Sequence, residues 1–152
     1  GGKHELYLEA LDRYRQSDNR ALRHHLRDAP TGLNGIRRAF AAVAEQATEN
    51  ECGCFTTNAT VERAACDPST QERACETFST MRTLFREAVE RAQEEGAIDA
   101  ERNAVALGRY LTNAYNGLSL TAKTCPSADV VQDIVDETLH GLTGSTTETE
   151  LS

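Results

Sequence analysis

At 152 residues the chain suits a single domain with a sizeable core, and its 16 basic against 24 acidic side chains give a formal net charge of −8. That charge repels nucleic-acid phosphates and excludes this surface, acting alone, as a DNA-binding one. No apolar run reaches the ~20 residues of a membrane span, no charged-then-apolar leader opens the chain, and five cysteines leave at least one thiol unpaired in a monomer. The reading is a soluble, cytoplasmic protein with reduced thiols.

Apolar residues recur at three- and four-residue spacing, without strand-like alternation, internal repeats or a glycine-rich phosphate loop, so the fold class is all-α with about six helices. The first helix covers residues 3–28, with Tyr7, Leu11, Tyr14, Leu22 and Leu26 on one stripe and Glu5, Glu9, Arg13, Arg20 and Arg27 largely off it. Ala29-Pro30-Thr31-Gly32 ends it. The second covers 33–49 through Leu33, Ile36, Phe40, Val43 and Ala44. A short third runs over 55–65. Asp67 is a fitting N-cap and Pro68 a fitting first residue for the fourth, which carries Phe78, Met81, Phe85, Ala88 and Ala92 and stops at Gly96. The fifth is read over 100–124, where the small residues Ala104, Gly108, Ala114 and Ala122 allow close approach of another helix. Ser127 caps a sixth over 128–142, striped by Val131, Ile134, Val135, Thr138 and Leu142. Residues 143–152 are too polar to fold and are expected to form a disordered tail.

Glu51 to Glu62 is the least charged stretch of a highly charged chain. In it, Gly53-Cys54 followed by Asn58 and Glu62 resembles the G-C-x-x-x-N-x-x-x-E segment of TetR-family transcriptional repressors. Gly1 to Leu11 resembles the segment in which that family's DNA-binding domain passes into its regulatory domain. Their order and separation, with the helices that follow, extend the resemblance over residues 1–142. It implies an effector-binding and dimerisation domain whose long first helix links it to a helix-turn-helix N-terminal to Gly1, with DNA reached only through that domain and no membrane partner. The apolar stripes of helices five and six need covering, and pairing them with their copies gives a homodimeric four-helix bundle, as the family forms. The expected seam is Leu107, Leu111, Leu118, Val131, Ile134, Val135 and Leu142.

The faces left over suggest a cavity bordered by helices one to five, lined by Phe40, Val43, Phe55, Asn58, Phe78, Met81, Phe85 and Tyr110 with Asn113 as a polar anchor. A small, mainly hydrophobic effector is expected there, and simple core filling is the alternative for each residue. Glu62 would select a cationic ligand if buried; solvation, or pairing with Arg63 or Arg82, competes.

No nucleophile, base and orienting residue stand together as a set, so the chain is read as a non-enzyme without cofactor or metal. The alternative, a helical metal-dependent or small-molecule enzyme, rests on Glu137-x-x-His140, which has the spacing of di-metal bundles but no second copy. His24 and His25 are adjacent, about 100° apart on a helix, and suit a surface better than a chelate. Cys52, Cys54, Cys66 and Cys75 lack C-x-x-C spacing and are read as small buried thiols, with redox sensing as the alternative.

Overall fold

In the computed structural model, which describes residues 2–48, 55–124 and 126–144 with the side chains at 47, 48 and 55 excepted, the chain is all-helical. The helices are α1 (Lys3–Arg27), α2 (Gly32–Thr48), α3 (Phe55–Arg63), α4 (Pro68–Glu94), α5 (Ala104–Thr121) and α6 (Ala128–Thr143), with a 3-10 turn at Ala122–Thr124. No strand occurs among the described residues. Of the tail expected over residues 143–152, Thr143 is the last residue of α6, and residues 145–152 lie outside the described residues.

The longest helix is also the central one: α4 packs against α1, α2, α3 and α5, while α6 lies across α2 and α5. Its ends are fixed locally. Asp67 accepts from the amides of Ser69 (3.1 Å) and Thr70 (3.4 Å), and Pro68 occupies the first position, where a missing N–H costs nothing. At the other end Gly96 takes a left-handed φ of 76°, while Gly96 N donates to Gln93 O (3.0 Å) and Ala97 N to Ala92 O (2.8 Å). That pair of bonds satisfies carbonyls a helix end otherwise leaves open.

Loops are tied to helix ends by side chains. Glu95 accepts from Gly32 N at 2.8 Å, and Arg91 donates to the carbonyls of Ala29 (3.0 Å) and Pro30 (2.6 Å), so the α1–α2 connection sits on the C-terminal turn of α4. Arg102 donates to the carbonyls of Gly141 (2.7 Å) and Leu142 (2.8 Å), placing a cation where the α6 dipole is negative. The fifth helix begins at Ala104 rather than residue 100. Residues 99–102 form a turn in which Asp99 accepts from Glu101 N (2.9 Å), and Asn103 then caps α5 by accepting from Ala106 N (3.0 Å).

The core runs between α1, α2, α4, α5 and α6, around Leu22, Leu26, Ile36, Phe40, Phe85 and Leu111. The residues of the expected dimer seam are also used inside it. Leu107, Leu111, Leu118, Val131, Val135 and Leu142 are all buried within one protomer, and Ile134 is half-buried against the same cluster. The small-residue stripe of α5 is likewise used internally: a Cβ on Gly108 would stand 2.9 Å from Arg82 O and 3.0 Å from Arg86 N, so the helix that approaches there is α4. Exposed apolar side chains on these two helices are instead Val105, Tyr110, Leu120 and Val130.

Candidate functional site: a cavity among the first five helices

α3 has nine residues, about a third the length of the 27-residue α4 beside it, and cannot fill the space between α1 and α4 along their whole length. A cavity of about 130 Å³ remains, and each of α1 to α5 contributes to its wall. From α1 come Tyr14, Asp18, Leu22 and His25, which recur at four-, four- and three-residue steps and so share one face. α4 supplies Thr77, Phe78 and Met81, and α5 supplies Tyr115, Asn116 and Ser119. Gln46 of α2 and Thr56 of α3 complete the polar part.

The hydroxyls and amides on this wall are mostly engaged. Ser119 donates to Tyr115 O (2.9 Å), Thr77 to Arg73 O (2.9 Å), and Asn116 donates to Thr112 O (2.8 Å) while accepting from Thr57 (3.4 Å). Thr56 differs. It is buried, and among the described residues its Oγ1 has no hydrogen-bond partner, a state that costs free energy and is rare in native interiors. His25 is half-buried, and desolvation first, then the charges of His24 and Arg38, push its pKa below the ordinary 6.5, against an opposite pull from Glu45.

Of the residues expected to line the cavity, Phe78 and Met81 do so. Phe40 and Phe85 are fully buried beside it and pack with Tyr115 in an aromatic cluster, with centroids 6.0 Å apart for Phe40–Phe85, 5.8 Å for Phe40–Tyr115 and 5.7 Å for Phe85–Tyr115. These two, with the buried Val43, form the floor on which the lining rests. Asn58 is half-buried and off the lining, whereas Tyr110 and Asn113 are exposed on the outer side of α5. Asn113 sits in a shallow groove with Arg82 and Arg109. The side chain of Phe55 lies outside the described residues. Glu62 is exposed, so among the described residues the carboxylate on the cavity wall is that of Asp18.

A family model described as the tetracyclin repressor-like, C-terminal domain matches residues 32–137. The chain belongs to that family. An uncharacterized HTH-type transcriptional regulator of Bacillus subtilis (strain 168), YezE, is 27% identical to it over 145 residues, spanning 93% of this chain and 75% of that protein. The reduced form of NemR from Escherichia coli is similar in fold, with a TM-score of 0.73 over 96% of this chain and 82% of that one, at 15% identity. In this tetracyclin repressor-like domain the polar wall carried a sequence signal that apolar counting passes over. Asp18 falls in the gap of the α1 stripe between Tyr14 and Leu22, and Asn116 and Ser119 follow Thr112 at helical spacing on the inward side of α5. His25, read as a surface residue, is inward for the same reason.

The remaining candidates converge on nothing. Glu137 and His140 are exposed on α6, and no group of three or more His, Cys, Asp or Glu side chains able to hold a metal occurs among the described residues. Cys66 and Cys75 are free and exposed rather than buried, while Cys52 and Cys54 lie outside the described residues. No helix among the described residues is long and apolar enough to cross a membrane.

Proposed function

We propose that this is the regulatory half of a transcriptional repressor: it binds a small, largely apolar effector in the α1–α5 cavity and pairs with a second copy through α5 and α6. Occupancy then sets the spacing of helix-turn-helix domains carried N-terminal to α1. One observation supports this most strongly. α1 lines the cavity through Tyr14, Asp18, Leu22 and His25, and the resemblance of Gly1 to Leu11 implies that this helix is the one joined to the DNA-binding domain. A ligand that prefers one tilt of α1 biases the DNA-competent arrangement by its difference in affinity for the two states.

The pairing face consistent with burial is the outer one. Tyr110, Asn113, Gly117 and Leu120 follow one another at three- and four-residue steps along α5, with Val130, Ile134 and Gly141 on α6. A Cβ on Gly117 or Gly141 would meet nothing within 4 Å, so both leave room for a neighbouring helix. The reading has no catalytic step and no cofactor, and it places the protein in the cytoplasm with its DNA.

A thermal-shift screen of small aromatic compounds tests the effector part. A ligand present at about one hundred times its Kd raises stability by ~2.7 kcal/mol. Phe78→Arg, which puts a guanidinium into the cavity wall, should abolish the response. A response of unchanged size in that variant would place the ligand elsewhere and sink the assignment of the cavity.

A further inference from the structure

We propose that the ligand of the α1–α5 cavity is an uncharged, single-ring molecule with one oxygen acceptor, held by a hydrogen bond from the Thr56 hydroxyl. The inference rests on the effector-binding reading above and names the ligand's chemical class. Thr56 stands on the short α3, lines the cavity and is 2% exposed, and among the described residues its Oγ1 has no partner. The hydroxyl protons beside it are spent within their own helices, since Ser119 donates to Tyr115 O (2.9 Å) and Thr77 to Arg73 O (2.9 Å). Asn116 likewise donates to Thr112 O (2.8 Å). A buried donor left idle is rarer and costlier than an idle lone pair, so the group that completes Thr56 is an acceptor.

The rest of the wall suits a neutral body. Among the described residues no lysine or arginine lines the cavity to meet an anion, and burial disfavours the charged form of His25. Asp18 is already engaged with a neighbour and does not wait for a cation. A charge brought in without a partner would carry its desolvation cost uncompensated. Leu22, Ala42, Phe78 and Met81 instead offer apolar surface to a ring. Size limits that ring to one. A cavity of about 130 Å³ is close to the engineered ~150 Å³ cavity known to hold benzene.

The test titrates the whole chain calorimetrically with acetophenone and ethylbenzene, which have the same ring and nearly the same shape and differ by the carbonyl oxygen. Desolvation of the carbonyl alone would make acetophenone the weaker ligand, so the hydrogen bond should bring it to at least the affinity of ethylbenzene. Thr56→Val, which replaces the hydroxyl by a methyl, should weaken acetophenone about tenfold and leave ethylbenzene within about twofold of its wild-type affinity. Without ligand, the same substitution should leave the melting midpoint unchanged or raise it, since no hydrogen bond is lost. Tighter binding of ethylbenzene to the wild type, an equal effect of Thr56→Val on both compounds, or a lowered midpoint of the ligand-free variant overturns the inference and leaves effector binding standing. Binding of neither compound to the wild type overturns both.

Discussion

Gly32 passes α4 so closely that a methyl group placed on it would stand 2.3 Å from the Ala88 carbonyl oxygen and 2.6 Å from the Ala92 amide nitrogen. Both atoms belong to helix backbone and cannot turn aside as a side-chain tip would. Gly32→Ala gains helix propensity of up to about 1 kcal/mol at best, but forcing α2 off α4 costs ~1–3 kcal/mol, so net destabilisation is expected. Urea denaturation would report it as a lowered midpoint. A raised midpoint would mean that propensity wins and that the two helices have room to separate.

Phe85 is fully buried, with the rings of Phe40 and Tyr115 at 6.0 and 5.7 Å. Truncation to alanine removes the centre of the aromatic cluster and leaves a void, at ~3–5 kcal/mol against the ~5–15 kcal/mol that holds a typical domain folded. Phe85→Ala should therefore lower the melting temperature far more than Tyr110→Ala, whose ring is exposed. Equal losses from the two would contradict the placement of the core.

Three side chains shape the acid response of stability: His25, Asp12, and the cap Asp67, whose carboxyl is held below 3.8 chiefly by the Thr70 hydroxyl. The pKa of His25 is depressed, so the folded state binds fewer protons than the unfolded one; its contribution is complete above 6.5 and drains as pH falls through the folded value. Burial pushes the Asp12 carboxyl up, but hydrogen bonds from Arg15 (2.7 Å) and Arg73 (3.0 Å) and their charges outweigh it and hold the group below 3.8. Its contribution is complete above 3.8 and lost as pH falls below that value. Denaturation midpoints followed downward from neutral pH should lose the earlier decline in His25→Gln and show a shallower later one in Asp12→Asn, where Asp67 still contributes. An earlier decline that persists in His25→Gln would show that the ring titrates there as it does unfolded.

Leu118 and Val130 separate core from the proposed pairing face. Leu118 is 1% exposed, so Leu118→Arg buries a charge and should unfold the protomer, whereas Val130, at 45%, should tolerate Val130→Glu with helix content intact. Sedimentation should find the wild type dimeric in the micromolar range and Val130→Glu shifted toward monomer. A monomeric wild type would remove the pairing proposal, and a dimeric Val130→Glu would move it to another face.

The proposed pairing face shows where sequence reading stops. A helix stripe that covers a neighbour in the same chain and one that covers a partner's copy are both apolar, and nothing in Leu111 or Val135 says which. The cavity shows the complementary limit. Aromatic residues at Phe40 and Phe85 read as lining when they are floor, while Asp18 and Asn116 went unread because polar residues at inward positions break the pattern by which inwardness is recognised.

What the sequence determined by itself was the set of helices and their stops: the periodicity of α1 to α6, the cap at Asp67 with Pro68, and the left-handed turn at Gly96. Each depends on residues within about four positions of one another, and such short-range terms are written directly into the order of side chains. Only the tertiary structure decided that Gly108 receives α4, that Leu118 is core, and that Asp18, His25 and Thr56 face one cavity. The groups that meet in each case come from different helices, and what covers a face or shares a void is settled by how whole helices cross.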